Sequence, residues 1–134
     1  MHEENAELVR AGWDAWIAGD IDGLFEIWDP EVIWDLTHFR DWPDRTYQGH
    51  DGVRSFLSEW LAVWDEYEAG VDEIVTAPDG RIVTLAWQRG TGRESGLVMD
   101  VEWAQINTVR NGRVVLVENY DSRSEALQAA GLAE

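Results

Sequence analysis

Asn111-Gly112-Arg113-Val114-Val115-Leu116-Val117-Glu118-Asn119-Tyr120-Asp121, followed by Ser124-Glu125-Ala126-Leu127-Gln128-Ala129-Ala130-Gly131-Leu132, is the stretch that decides the fold. Asn-Gly suits a two-residue hairpin turn, because both central residues there take positive φ. Residues 113–121 are rich in β-branched side chains and read as a strand folded back onto residues 97–110. Ser122 then opens a short helix, and Gly131 stops it.

Working upstream, Pro78-Asp79-Gly80 joins two further strand candidates, residues 71–77 and 81–89. The C-terminal half is thus a four-strand meander with a closing helix. The N-terminal half is helical. Residues 4–18 carry Leu8, Gly12, Ala15 and Trp16 on one side, with Val9, Trp13 and Ile17 beside them, a spacing near 3.6. Gly19-Asp20 ends that helix, and Asp20 can cap a second, short one running through Trp28. Asp29-Pro30 breaks the chain, and residues 31–36 read as a short strand around Val32-Ile33-Trp34. Residues 37–49 form a polar, aromatic-studded loop with Pro43. A third helix, residues 51–67, places Val53, Phe56, Leu57, Trp60, Leu61 and Trp64 at helical spacing. Helices segregated from strands predict an α+β domain: a long, curved antiparallel sheet with helices on one face and a cavity between.

The 134 residues suit one domain spanning 1–134. There is no cysteine, which removes disulfides, thiolate catalysis and thiolate-bound zinc. Nor do the histidines have metal-ligand spacing, so no metal and no cofactor is expected. The net charge is −17 and every basic residue is arginine. Such a surface repels phosphate backbones and anionic membranes, which excludes nucleic acid and membranes as partners. It also fits concentrated salt, where self-repulsion is screened. The acidic start lacks the basic-then-apolar order of a signal peptide, so a cytoplasmic location is the expectation. Nine tryptophans are unusual for this length. They serve either as core and subunit interface or as an aromatic wall around an apolar ligand.

Four markers in order carry a family resemblance: Ala18-Gly19-Asp20-x-Asp22-x-Leu24, Asp29-Pro30-Glu31-Val32-x-Trp34, Tyr47-x-Gly49-His50-Asp51-Gly52-Val53, and the tail quoted above. With them the chain resembles the SnoaL-like family of the nuclear-transport-factor-2-like superfamily. That resemblance implies a cone-shaped half-barrel with three N-terminal helices over its concave face and a short C-terminal helix. It also implies a homodimer packed through the outer sheet face and a small apolar molecule held inside the cone. The superfamily hosts isomerases, dehydratases, epoxide hydrolases, polyketide cyclases and non-enzymes, so fold alone does not choose among them.

Asp35 occupies a place similar to that of the general-base aspartate of ketosteroid isomerases. Beside apolar walls its pKa would rise toward a value useful for moving protons from carbon. Strand alternation puts Asp35 on the face of Ile33, with Trp34 opposite. The oxyanion partners of those isomerases do not carry over. Their first-helix tyrosine falls on Gly12 and their late-strand acid near Ala104 or Gln105, leaving Gln105 or a tryptophan N–H as substitutes. No Arg-x-Asp pair of the epoxide-hydrolase type occurs. Dehydratase and cyclase relatives use histidine or aspartate, which makes His38, just after Asp35, a candidate proton partner and gives His50 a local structural role. Asp121 is either a second acid–base carboxylate or a helix cap. Trp13, Trp16, Trp34 and Trp103 are candidate pocket walls, with Tyr47 and Asn119 as candidate hydrogen-bonding groups. The reading is a cofactor-free acid–base enzyme of isomerase, cyclase or dehydratase type acting on an apolar, oxygen-bearing molecule; alternatively, a non-catalytic ligand-binding or dimerisation module.

Overall fold

The computed structural model describes residues 2–40 and 46–132, so the expected Pro43 loop centre lies outside the described residues. The elements run α1 (His2–Ile17), α2 (Ile21–Ile27), β1 (Trp28–His38), β2 (Thr46–Gln48), α3 (Gly49–Ala62), β3 (Trp64–Thr76), β4 (Ile82–Gly92), β5 (Val98–Arg110), β6 (Arg113–Tyr120) and α4 (Arg123–Ala129). The fold is α+β. Six strands form one sheet in the order β2-β1-β6-β5-β4-β3, which leaves β2 and β3 as open edges and no closed barrel.

The local signals of the tail become structure. Asn111 and Gly112 take φ of 52° and 75°, the left-handed pair that turns β5 into β6. Ser122 caps α4, its side chain accepting from the Glu125 N–H. Asp20 caps α2 in the same way, accepting from Gly23 N–H at 2.9 Å.

Three expectations are corrected. The sheet is mixed rather than antiparallel: β1 runs parallel to β6, with Trp34 opposite Val117 and Asp35 opposite Glu118. The third helix stops at Ala62, and residues 64–67 belong to β3. Trp60, Trp64 and Tyr67 continue a helical spacing, but ten registered pairs between β3 and β4 outweigh it. The loop after Asp35 is partly strand, since β1 extends to His38 and β2 pairs back onto it.

Each face of the sheet has its own core. Buried Val9, Trp13, Leu24, Trp34, Val53, Ala86, Trp103 and Val117 pack on one side, where α1, α2 and α3 lie. Val83, Ala104, Ile106, Tyr120, Ala126 and Ala130 pack on the other, beneath α4. Gly70 in β3 is needed for close approach, because a Cβ there would sit 2.4 Å from the ring of its cross-strand partner Trp87. No helix among the described residues is long and apolar enough to cross a membrane.

Candidate functional site

Between the three helices and the sheet lies a half-open cavity of about 90 Å³. Helix α1 turns Val9, Gly12, Trp13 and Trp16 toward it; α2 adds Leu24 and Ile27; α3 adds Phe56, Leu57 and Trp60. Strand β1 brings Trp28, Trp34 and Leu36, followed by Phe39. The sheet floor is Tyr67, Gln88, Trp103, Gln105, Asn107, Val114 and Asn119. Nine of these twenty side chains are aromatic, six of them tryptophans, and not one is charged. The rings pack in tilted and edge arrangements, Trp28 on Trp34 at 5.6 Å and Trp13 on Trp103 at 5.7 Å between centroids, as aromatic quadrupoles prefer.

The polar groups of the wall are tied into two clusters. In the first, the Trp16 indole N–H donates to the Tyr67 oxygen at 3.3 Å, and the Tyr67 hydroxyl donates to Gln88 Oε1 at 2.8 Å. In the second, Asn119 Oδ1 accepts from the Trp103 indole at 3.2 Å and from Gln105 Nε2 at 2.9 Å, while Asn119 Nδ2 donates to the Asp35 backbone carbonyl at 3.2 Å. Asn119 is 1% exposed and satisfied on both amide ends. Two other wall donors, Trp34 Nε1 and Asn107 Nδ2, are sealed without a partner, so a ligand meets them only if the indole or amide turns.

Of the residues singled out in the sequence, Trp13, Trp16, Trp34, Trp103 and Asn119 line the cavity. Tyr47 does not; it stands behind the wall, its ring 4.7 Å from that of Phe56. The three candidate acid–base residues lie elsewhere. Because β1 sends Trp34 and Leu36 inward, Asp35 points to the α4 side of the sheet beside Glu118. There its Oδ1 accepts the Thr37 N–H at 2.7 Å. His38 faces the same way, stacked on Tyr120 at 4.1 Å and 3.7 Å from Glu118. Donor atoms of Asp35, His38 and Glu118 lie within 4.8 Å of one another, and theirs is the one such grouping found among the described residues. Asp121 accepts from the Arg40 backbone N–H at 2.8 Å and from its guanidinium, which also meets Glu125. Its role there is to tie the chain after β1 to α4. His50 contacts the Trp28 carbonyl at 2.8 Å, a local strut.

Tyr67, Gln88 and Asn107 were not singled out in the sequence. Their signal is parity: Gln88 shares a strand face with Ala86, and Asn107 with Trp103, so uncharged amides recur on the inward face of otherwise apolar strands. Tyr67 is the one ionisable group of the wall among the described residues. Burial raises its pKa above the ordinary 10.0, and hydrogen bonds from Trp16 and Trp60 pull partly the other way. The folded state therefore holds this proton more tightly than the unfolded chain. The stability so gained is complete below about pH 10 and is lost as pH rises through the raised pKa. Tyr120 is also raised, by burial and then by the charges of Glu118 and Asp35. A spectrophotometric titration at 295 nm should show two late-ionising tyrosines, and Tyr67→Phe should remove one of them and flatten the alkaline loss of stability. A variant with an unchanged titration would contradict this assignment.

Many solved structures share the architecture, and three illustrate it. An NTF2-like protein of unknown function from Burkholderia pseudomallei is 24% identical, with 95% of this chain and 97% of that one covered and a TM-score of 0.76. TerC, co-crystallised with polyporic acid, is 20% identical over 95% and 97% of the two chains, at 0.74. A hypothetical protein with a ketosteroid isomerase-like fold from Catenulispora acidiphila, in complex with trimethylamine, is 17% identical over 94% and 93%, at 0.71. At these identities the likeness speaks to fold alone. No curated protein sequence matches the chain. Residues 9–117, which carry most of the cavity wall, match the SnoaL-like domain, and the chain belongs to that family.

Proposed function

We propose that this protein is a binding module for a neutral, largely apolar, ring-containing small molecule. The observation that carries the reading is the contrast between a chain of net charge −17 and a cavity wall with no charged side chain among the described residues. A charged ligand entering that wall would lose its hydration without meeting a counter-charge. Aromatic surface instead rewards flat apolar contact. Two neighbours of the same fold were solved with small molecules, polyporic acid in one and trimethylamine in the other, which supports a ligand-holding role.

The acid–base enzyme reading has weaker support. Among the described wall residues only Tyr67 is ionisable, and its raised pKa keeps it protonated near neutrality, unavailable as a base and a weaker acid than an ordinary phenol. Asp35 and His38 stand on the opposite face of the sheet, where they would act only on a molecule bound outside the cavity.

A matched pair of dyes tests the binding reading. N-phenyl-1-naphthylamine is neutral, and 1-anilinonaphthalene-8-sulfonate adds one anionic group to the same skeleton. The neutral dye should bind with a rise in fluorescence, and the sulfonate at least tenfold more weakly. Asp35→Asn should leave the neutral dye's affinity within twofold. Equal affinity for both dyes, or a tenfold loss in Asp35→Asn, would sink this reading.

A further inference from the structure

The amide groups of the cavity wall carry a direction, and that direction specifies the ligand. A glutamine or asparagine amide is ambiguous until a partner of single polarity fixes it. Indole N–H groups can only donate, and backbone carbonyls can only accept.

At one end of the cavity the Tyr67 oxygen accepts from the Trp16 indole at 3.3 Å. The phenol's own proton goes to Gln88 Oε1 at 2.8 Å. Gln88 therefore presents its NH2 as the free end. At the other end Trp103 fixes Asn119 Oδ1, and the Asp35 carbonyl independently fixes Asn119 Nδ2. Gln105, 2.9 Å from that same Oδ1, has to turn its NH2 toward it. Its carbonyl is then the free end. Gln88 is 8% exposed and Gln105 5% exposed, yet neither free end is among the sealed, unpartnered atoms of the interior. Both residues line the cavity, and no hydrogen bond to either free end is found among the described residues.

The two ends are set apart by the sheet. Gln105 pairs with Thr84, and Gln88 lies four residues further along the same face of β4. That is about 13 Å of strand before the side chains reach out. Ala86 and Trp103, paired between them, leave a small residue and a flat ring as the intervening floor. We propose that the cavity selects an elongated, rigid, neutral molecule with a hydrogen-bond acceptor at one end, met by the Gln88 NH2, and a hydrogen-bond donor at the other, met by the Gln105 carbonyl. A ring system bearing a ketone and a distal hydroxyl has this pattern. The inference rests on the binding reading above and adds polarity and orientation to it.

The test is displacement of N-phenyl-1-naphthylamine by naphthalene, 2-acetonaphthone, 2-naphthol and 6-hydroxy-2-acetonaphthone. Each satisfied hydrogen bond should add roughly three- to tenfold in affinity. Naphthalene should be weakest, the two singly substituted rings intermediate, and the doubly substituted ring at least tenfold tighter than naphthalene. Gln88→Leu should erase the gain from the acetyl group, and Gln105→Leu the gain from the hydroxyl. Thermal melting reports whether each variant folds; should either fail, the four-compound order on the unmodified protein decides alone. Four equal affinities would overturn the polarity inference while leaving the binding reading intact. Absence of dye binding in the unmodified protein would overturn both. Loss of the acetyl gain in Gln105→Leu rather than Gln88→Leu would reverse the assigned orientation and overturn it as stated.

Discussion

Asn119→Leu is expected to destabilise the fold by about 3–5 kcal/mol, because one substitution strands two buried donors and a part-buried carbonyl. The Trp103 indole and the Gln105 amide lose a shared acceptor, and the Asp35 carbonyl loses its donor. Each stranded buried donor costs about 1–3 kcal/mol, the part-buried carbonyl less, and leucine cannot hydrogen-bond any of them. The added apolar burial offsets only part of this, since a leucine fully buried stabilises by roughly 1.5–3 kcal/mol against exposure, and position 119 is already enclosed. For a chain of this size the loss corresponds to a fall in Tm of about 10–20 °C. Asn119→Asp separates hydrogen bonding from shape. It keeps the acceptor for Trp103 and Gln105 but buries a charge and drops the donor to Asp35. It should be at least as damaging at neutral pH and partly recover as pH falls toward the carboxylate's own pKa. Calorimetric melting checks both. An Asn119→Leu variant within 1 kcal/mol of the unmodified protein would mean that the amide hub carries no weight.

That hub also shows what sequence can and cannot disclose. Turn and cap chemistry is local, so Asn111-Gly112, Ser122 and Asp20 announced their roles without knowledge of the rest of the chain. The end of α3 was not legible, because Trp60, Trp64 and Tyr67 satisfy a helical period and only the long pairing of β3 with β4 decides against it. The site divides the same way. Tryptophans at periodic apolar positions of α1 and β1 declared themselves as wall or core. Alternation put Asp35 opposite Trp34, but alternation is blind to which face is inside. That choice is made by the parallel pairing of β1 with β6, a contact between residues more than eighty positions apart. With Trp34 and Asn119 turned inward, Asp35 and Glu118 had to turn out. A family resemblance that aligned a carboxylate with a catalytic base could not see that rotation. Gln88 and Asn107 were passed over for a related reason: in a strand, a neutral polar residue reads as half-exposed unless the opposite face is also known to be covered.

Trp103→Ala is the second large expectation, and it links stability to ligand. Truncating a buried tryptophan costs about 3–5 kcal/mol, so Tm should fall by about 10–20 °C. The ring removed spans the cavity floor, touches Trp13 and donates to Asn119. Its removal therefore leaves an apolar, ring-shaped void with one acceptor at its edge, which is the outline of free indole. Indole should bind the variant and raise its stability by RT ln(1 + [L]/Kd), about 1.4 kcal/mol at ten times Kd, or several degrees in Tm. Benzothiophene has a similar shape but no N–H. It should rescue less, by up to about tenfold in affinity, because the Asn119 oxygen would keep Gln105 as its only remaining donor. The unmodified protein should gain less from indole at the same concentration than the variant does, since its floor already holds an indole ring. Equal rescue of variant and parent would show that Trp103 does not shape the space in which the ligand sits, and equal rescue by both heterocycles would show that Asn119 does not read it.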